Sequence, residues 1–426
     1  MIYLLIFILV LLAFLGAPLF TIIIVGAMTG FYAGGIDLSA IAIEVYRISD
    51  TPVLLALPLF TLAGYILSES NTSERLVRLT KAFLGWMPGG LAFVSFVICA
   101  FFTAFTGASG VTIVALGALL YPALNQEGYK EKFSLGLVTT SGSLGLLLPP
   151  SLPLILYGVI AQQMNIGPKF SIDDLFVAGL IPALLMVIML SLYSLWVNRK
   201  NPIPVQKFSF KKALIAIRES IFEIPLPFFV LGGIYSGFFV ISEAAAVTAM
   251  YVIIVEVFIY KEIKISKLPV IMRDSMVMVG GILLILGVSL AFTNYIIDIQ
   301  APMKLFNICQ SLVTNKLIFL ILLNIFLLAL GAILDIFSAT IIMVPIILPV
   351  AVSYGINPVH LGIIFLANMQ IGYLTPPVGM NLFIASYRFN KPIVEVYKAT
   401  IPFMLVLLLT VVIITYFPQL SLIFLK

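Results

Sequence analysis

Oxygen-bearing side chains interrupt long apolar stretches at two places in this sequence. Hydroxyl, amide and carboxylate oxygens are ligands that hard cations such as Na⁺ prefer. Grouped around two small-residue or proline-rich breaks, they indicate an ion site built from both halves of the chain. The candidates in the first half are Thr106, Ser109, Thr112, Ser141, Ser143 and Ser151, and those in the second half are Asp335, Ser338, Asn368, Thr375 and Asn381.

Each of these hydroxyls also has a purely structural explanation. A serine or threonine in an apolar helix commonly bonds the carbonyl four residues earlier, or allows close helix packing. For any single hydroxyl this is the stronger alternative, and only the clustering favours ligands. Asp335 differs, because an acidic residue inside an apolar run is a functional-site hypothesis by default. Its alternative role is a helix cap.

The first cluster lies in a run, residues 89–124, that has no charged side chain. Each half of the run is roughly 15 residues, or ~22 Å as a helix, which is short of a ~30 Å hydrocarbon core. Two half-length helices that meet at Thr106-Gly107-Ala108-Ser109-Gly110 predict a re-entrant hairpin with its tip near the bilayer midplane. The alternative is two tilted spans joined by a tight turn.

Composition indicates a polytopic helical membrane protein. Of 426 residues, 62% are hydrophobic and 10% are charged, whereas soluble domains are ~25% charged. The formal charge of +5 does not indicate nucleic-acid binding, because the basic residues fall in short segments between apolar runs. Cys99 and Cys309 both lie in or beside apolar segments, so we predict neither a structural disulfide nor a metal cluster. The sequence lacks a G-x-x-x-x-G-K-[ST] motif, which excludes ATP hydrolysis by this chain.

The distribution of lysine and arginine predicts the topology. The strongest basic segment, 199–218, and both flanks of the first hairpin are placed in the cytoplasm by the positive-inside rule. The N-terminus, as part of a first span at 2–30, is then cytoplasmic and the C-terminus lies outside. Residues 71–84 are amphipathic, with Arg75, Arg78 and Lys81 spaced at intervals of three, and predict a helix along the membrane surface.

The two halves of the chain share a pattern of glycine and proline. Pro149-Pro150 and Pro376-Pro377 are separated by 227 positions, residue 376 minus residue 149. The same offset relates three further pairs, which are Pro122 with Pro349, Gly128 with Gly355, and Gly145 with Gly372. Such a repeat indicates two structural halves, and the charge bias puts the two hairpins on opposite sides. We therefore predict inverted repeats.

The predicted fold is all-α, polytopic and of three parts. Residues 1–198 form the first repeat, with scaffold helices, an arm helix at 71–84, a hairpin at 88–124 and a broken helix at 130–163. Residues 199–241 form a basic cytoplasmic connection and an extra helix. Residues 242–426 form the second repeat, with an arm at 298–315, a hairpin at 316–352 and a broken helix at 359–387.

A rival class is the intramembrane serine protease. Gly107-Ala108-Ser109-Gly110 also fits the G-x-S-G motif of rhomboid proteases, but a serine nucleophile needs a base within hydrogen-bond reach. The only histidine, His360, follows Pro358 at the predicted outer end of a helix, where we expect an interfacial surface residue. The protease therefore stays a remote alternative.

Several short motifs are spread over almost the whole chain: Leu57-Pro58-Leu59-Phe60, Gly89-Gly90-Leu91-Ala92, Gly107-Ala108-Ser109-Gly110, the stretch 145–151, Gly232-Gly233-Ile234-Tyr235 and the stretch 372–379. With these motifs the sequence resembles the large membrane subunit, the M or DctM-type permease, of tripartite ATP-independent periplasmic (TRAP) transporters, in the ion-transporter superfamily. One departure is Thr106-Gly107-Ala108-Ser109, where many members carry Ser-Gly-Ser-Ser, so a ligand at Ala108 would have to be a carbonyl.

The resemblance implies sodium-coupled uptake of an organic acid, such as a C4-dicarboxylate or sialic acid, across the bacterial cytoplasmic membrane by an elevator mechanism. It implies no cofactor apart from Na⁺ as coupling ion, and two partners: a small four-helix membrane subunit (Q or DctQ-type) and a periplasmic substrate-binding protein (P or DctP-type). A stand-alone permease of the same superfamily is the alternative. On this basis the sodium ligands are Thr106, Gly107, Ser109, Ser141 and Ser143 in the first half and Asp335, Ser338, Gly372 and Thr375 in the second. The substrate ligands are Thr112, Ser151, Asn368 and Asn381.

The predicted topology can be tested by cysteine labelling. We expect Lys207→Cys, in a background without Cys99 and Cys309, to resist a membrane-impermeant thiol reagent in sealed cells and to react after permeabilisation, because its segment is predicted to be cytoplasmic. Labelling from outside in sealed cells would contradict the topology.

Overall fold

The computed structural model of the chain describes residues 11–12, 17–87, 89–199, 208–313 and 315–425. Part of the predicted first span (2–10 and 13–16), the labelling position Lys207 and the terminal Lys426 lie outside these residues. Seven helical segments of the described part are long and apolar enough to cross a membrane. The prediction of an all-α membrane fold is therefore confirmed.

The first half contains nine helices within the described ranges: α1 (Leu19–Ala33), α2 (Ser39–Tyr46), α3 (Ala56–Glu69), α4 (Thr72–Leu84), α5 (Gly90–Thr106), α6 (Ser109–Gln126), α7 (Glu131–Ser141), α8 (Leu152–Met164) and α9 (Ile172–Asn198). The rest of the described chain contains α10 (Phe210–Glu219), α11 (Pro225–Tyr235), α12 (Ile241–Ile253), α13 (Leu268–Asp298), α14 (Ala301–Leu312), α15 (Lys316–Gly331), α16 (Ile336–Ser353), α17 (Pro358–Gly372), α18 (Met380–Phe389), α19 (Ile393–Tyr416) and α20 (Gln419–Leu422).

The helices stop where glycine, proline or hydroxylated residues make a continuous helix unfavourable. Between α5 and α6 the chain turns at Gly107, whose φ of +64° is a left-handed conformation that suits glycine. The breaks between α7 and α8 and between α17 and α18 contain the Pro-Pro pairs, each joined by a cis peptide bond. Helix α5 has 17 residues, or ~25 Å, so it ends short of a full ~30 Å hydrocarbon layer.

The helices pack into two sets. In the first set, which we call the frame (α1–α3 and α11–α13), α3 packs on α12 and α13, and α13 packs on α1 and α2. In the second set, which we call the hairpin layer (α5–α9 and α15–α19), α7 packs on α19, α15 on α17, α16 on α8, and α6 on α18. Helix α4 touches α3 and α5, and α14 touches α13 and α16. These two helices therefore bridge the sets.

Three local expectations differ from the structure. Arg75 of α4 is only 4% exposed, because distant segments bring carboxylates to it. Within 199–241 the sequence predicts an extra connecting span at about 222–239, but the helix found there, α11, has only 11 residues and at ~16 Å is too short to span the membrane alone. His360 is buried rather than interfacial, and its ring nitrogens lie 3.3 Å from the Ser421 hydroxyl and the Thr415 carbonyl oxygen.

Each proline break is held by a glycine that allows backbone to meet backbone. A Cβ on Gly145 would lie 2.0 Å from the carbonyl oxygen of Ala100 in α5. A Cβ on Gly372 would lie 2.5 Å from the Cα atom of Gly331, the last residue of α15. In both halves, the first helix of the hairpin therefore packs directly against the beginning of the break.

Gly145→Ala is expected to lower the unfolding midpoint of the detergent-solubilised protein by several degrees. Forcing extra atoms into a packed interior costs ~1–3 kcal/mol, and here the new Cβ would overlap backbone atoms that cannot move aside. Gly280→Ala is the matched control, because a Cβ on Gly280 of α13 would have nothing within 4 Å. Equal midpoints for the two variants would show that the Gly145 contact does not hold the break.

Candidate functional site

The tip of the first hairpin lies against the start of α8. A Cβ on Gly107 would lie 2.3 Å from Cδ1 of Leu152, so only glycine lets the turn approach this closely. Thr106, the last residue of α5, is fully buried. Its hydroxyl lies 3.4 Å from the carbonyl oxygen of Ala108. The tip is therefore enclosed by protein, as irregular backbone in an apolar layer must be.

A buried hydrogen bond joins this tip to the other half of the chain. The Ser109 hydroxyl, at the N-terminus of α6, donates to Oδ1 of Asn381 at 2.7 Å. Asn381 lies at the start of α18, and its Nδ2 lies 3.5 Å from the carbonyl oxygen of Thr139 in α7. Its backbone N–H donates to the carbonyl oxygen of Tyr373, across the second break. One residue, through its side chain and its backbone N–H, thus connects the first tip, the first broken helix and the second break.

A second hydrogen-bonded chain runs from the first hairpin to the first break. The hydroxyls of Thr112 and Thr103 lie 2.7 Å apart, and the Thr103 hydroxyl donates to the carbonyl oxygen of Gly142 at 2.8 Å. Thr103, Thr112 and Gly142 come from α5, α6 and the first break, so this chain holds both hairpin helices to the broken helix.

The other hydroxyls predicted in the first half have local partners. Ser141 and Ser143 donate to carbonyl oxygens three residues earlier, those of Val138 at 3.3 Å and Thr140 at 3.4 Å. The Ser151 hydroxyl donates to the Leu146 carbonyl and accepts from the Leu154 N–H as the N-cap of α8. These bonds are the structural alternative for each residue.

At the second tip, Asp335 is the N-cap of α16. Its Oδ1 accepts from the backbone N–H groups of Phe337 and Ser338, both at 3.0 Å. The N–H of Ile336 donates to the Tyr373 hydroxyl at 2.7 Å, and the N–H of Gly379 donates to the carbonyl oxygen of Ala332 at 3.2 Å. The second tip therefore lies on the second break. A carboxylate at a helix N-terminus is also favoured by the helix dipole.

Two further predicted residues belong to the second broken helix but use other partners. Thr375 donates to the carbonyl oxygen of Ile371 at 3.0 Å. Asn368 donates to Oδ1 of Asn324 at 2.6 Å, which also accepts from Thr415 at 3.2 Å. This polar group joins α15, α17 and α19, and its described hydrogen bonds do not reach Ser109 or Asn381.

Gln370 was missed by the sequence reasoning. It is 0% exposed, and neither amide atom has a hydrogen-bond partner within the described residues. Buried amides rarely stay unpaired unless water or a ligand meets them. The repeat pattern could have identified Gln370. The offset of 227 positions relates it to Ser143, which was predicted as a ligand.

Neither a protease nor a multivalent metal centre fits this arrangement. The hydrogen-bond partner of Ser109 is the side-chain amide of Asn381, which is too weak a base to deprotonate the serine. His360 is instead hydrogen-bonded to Thr415 and Ser421. Among the described residues, no group of three His, Cys, Asp or Glu side chains could hold a metal. The available ligands are hydroxyl, amide and backbone carbonyl oxygens with one nearby carboxylate.

The cap at Asp335 makes a stability prediction. Asp335→Ala removes the acceptor of two N–H groups and is expected to cost ~0.5–2 kcal/mol, whereas Asp335→Asn keeps an oxygen acceptor and should unfold close to the native midpoint. Thermal unfolding of the three solubilised proteins measures the order. If asparagine destabilises as much as alanine, the charge and not the cap holds the start of α16.

Sequence comparison covers almost the whole chain. A family profile described as "Tripartite ATP-independent periplasmic transporter, DctM component" matches residues 4–420. The chain is 32% identical over 398 residues to the C4-dicarboxylate TRAP transporter large permease protein DctM of Pseudomonas aeruginosa, covering 93% of this chain and 92% of that protein.

Two other relatives are longer. The isethionate TRAP transporter permease protein DctMQ of Oleidesulfovibrio alaskensis is 33% identical, over 92% of this chain and 61% of that protein. The sialic acid TRAP transporter permease protein SiaT of Haemophilus influenzae is 31% identical, over 88% and 60%.

A solved structure shares the fold. The chain resembles the YdaH transporter of Alcanivorax borkumensis with a TM-score of 0.61 at 14% identity, covering 94% of this chain and 88% of that one. At this identity the likeness concerns the fold alone. The family profile and the Pseudomonas aeruginosa relative, which this chain matches over nearly its full length, show that the chain belongs to the TRAP transporter family, as its large permease component, DctM.

Proposed function

We propose that this permease couples the inward movement of Na⁺ to uptake of an organic acid across the bacterial inner membrane. The observation that carries the proposal is the Ser109–Asn381 hydrogen bond, which brings a hairpin tip and a helix break from opposite halves into one buried polar site. Three relatives bear the names of organic acids: C4-dicarboxylate, isethionate and sialic acid. The specific acid for this chain is left open.

The site offers complementary groups for a cation and an anion. The backbone carbonyls of Thr106 and Gly107, the hydroxyl of Ser109 and the carboxylate of Asp335 are oxygen ligands of the kind a hard cation prefers. Four helices, α6, α8, α16 and α18, begin at the tips or breaks, so their N-termini lie there. Helix N-termini favour negative charge through their dipoles and free N–H groups. A carboxylate substrate beside Na⁺ would satisfy both.

An elevator movement and inverted repeats account for the packing pattern. In each half the first hairpin helix packs on its own broken helix through Gly145 or Gly372. The second hairpin helices cross over, α6 onto α18 and α16 onto α8. This exchange joins the halves into one hairpin layer, which we propose moves against the frame while α4 and α14 connect the two.

Two partners complete the proposed system. The family is the DctM component of a tripartite transporter, and this chain spans 61% of a relative named DctMQ. We propose a separate small four-helix subunit, corresponding to the remaining part of that relative, and a periplasmic binding protein that delivers the acid. The N-terminus is assigned to the cytoplasm and the C-terminus to the outside, on the basic-residue asymmetry.

Uptake into proteoliposomes tests the coupling. With both partners present and an inward Na⁺ gradient, we expect uptake without ATP. Full-rate uptake in Na⁺-free medium would contradict sodium coupling. Full-rate uptake by the large subunit alone would indicate a stand-alone permease.

The carboxylate of Asp335 tests the ion site within this assay. Asp335→Asn keeps the cap but removes the charge, so we expect normal expression and a Na⁺ concentration for half-maximal uptake raised ~5- to 150-fold. Ser338→Ala should show a smaller rise, because a neutral ligand contributes less. Ser353→Ala, at the far end of the same helix, is the control and should match the native protein. An unchanged Na⁺ dependence in Asp335→Asn would restrict Asp335 to capping.

A further inference from the structure

The N-terminal part of α4 carries a buried arginine surrounded by carboxylates from three distant segments. Arg75 donates from Nε to Glu223 and from Nη1 to Glu262. Its Nη2 lies 3.1 and 3.3 Å from the two carboxylate oxygens of Glu256. Glu223 precedes α11, Glu256 lies in the π-helical turn Ile254–Ile259 that continues α12, and Glu262 precedes α13. Every nitrogen of the guanidinium group therefore bonds a segment next to the frame.

Neighbouring groups hold this cluster from both sides. The ring of Tyr260 covers the guanidinium carbon of Arg75 at 4.0 Å from the ring centroid. The Thr72 hydroxyl donates to Glu256 at 2.7 Å, and the backbone N–H of Asn71 donates to Glu262 at 2.7 Å. A buried charge with this many directional partners is costly to displace in any direction.

The other end of α4 is attached differently. Lys81 pairs with Glu127, which follows α6, in a bridge whose side chains are 32% and 20% exposed. At the Arg75 end, a small cavity of about 20 Å³ lies between α3, α4 and α5; its lining includes Thr72 and Glu223 of the cluster and the apolar side chains of Leu67, Phe101 and Phe105. The apolar contacts between α3 and α5 are non-directional, so they allow α5 to slide past α3. The ionic cluster around Arg75 resists such movement.

We infer that α4 is a lever whose fixed end is Arg75, anchored to the frame, and whose moving end is the Lys81–Glu127 bridge to the hairpin layer. This inference rests on the proposed transport function and adds the point about which the hairpin layer moves. Arg75 is a positioning residue, since it touches neither tip nor break. Replacing Arg75 should slow the movement of the hairpin layer against the frame without changing the proposed site for Na⁺ and the acid.

Arg75→Met tests the lever by separating binding from movement. We expect the purified variant to keep Na⁺-dependent substrate affinity within about twofold of the native protein, and uptake in proteoliposomes to fall at least tenfold. Arg78→Met is the matched control: it lies one turn further on α4, its side chain is 53% exposed, and both readouts should stay native. Native uptake by Arg75→Met, or loss of affinity in parallel with uptake, would overturn the inference.

Cross-linking keeps the test decisive should Arg75→Met fail to fold. In a background without Cys99 and Cys309, a short bifunctional thiol reagent joins Arg78→Cys to Glu219→Cys, whose native side chains meet at 3.1 Å. We expect uptake after cross-linking to equal uptake before it, because Arg78 lies one turn from the anchored Arg75 and Glu219 lies four residues before Glu223, which bonds Arg75. Joining Leu67→Cys of α3 to Phe105→Cys of α5 should stop uptake. The opposite pattern would overturn the inference, whereas absence of Na⁺-dependent uptake in the native protein would instead refute the proposed function.

Discussion

A helix that ends inside an apolar layer leaves backbone N–H and C=O groups that must find partners within the protein. This constraint governs the centre of the molecule. Both broken helices end where a glycine allows another backbone to come into contact, Gly145 on α5 and Gly372 on α15. The freed groups are met by side chains that include Ser151, Asp335 and Tyr373. Of these capping oxygens, those of Ser151 and Asp335 are also candidate ligands.

The constraint also explains where charge is placed. Among the described residues around the tips and breaks, the hydrogen-bonding side chains are neutral apart from Asp335, whose oxygen caps α16. Ion pairs lie instead at the ends of helices, as with Arg75 and its glutamates beside the frame. Under the proposed function, a centre with few fixed charges would suit binding and release of Na⁺ together with an anion, because neither ion would have to displace a strong resident ion pair. A buried ionic cluster suits a fixed attachment, since breaking it would expose unpaired charge.

The parts of the fold that were predictable from the sequence are those set by local chemistry. Glycine at a left-handed turn, paired prolines and the lengths of apolar runs act within a few residues, so the positions of the tips and breaks followed from them. Partners distant in sequence did not. Ser109 and Asn381 are 272 residues apart, and Arg75 and Glu262 are 187 apart, so neither contact leaves a local pattern. Arg75 was misread as part of a surface stripe for this reason.

The same contrast between local signals and distant contacts applies to the site residues. Ser109 and Asn381 were each predicted as ligands, of sodium and of substrate, but that they meet could be learned only from the fold. Gln370 was missed because its significance comes from complete burial without a partner. The roles of all the candidate ligands stay predictions.

The most direct test of the shared site is a double-mutant cycle between its two halves. The Na⁺ concentration for half-maximal uptake would be measured for the native protein, Ser109→Ala, Asn381→Ala and the double variant. If these residues form one unit, the effects are not additive, the double variant is little worse than the poorer single variant, and the coupling is ~0.5–3 kcal/mol. Additive effects would contradict the account, because they would mean that the tip and the break from opposite halves act as independent sites.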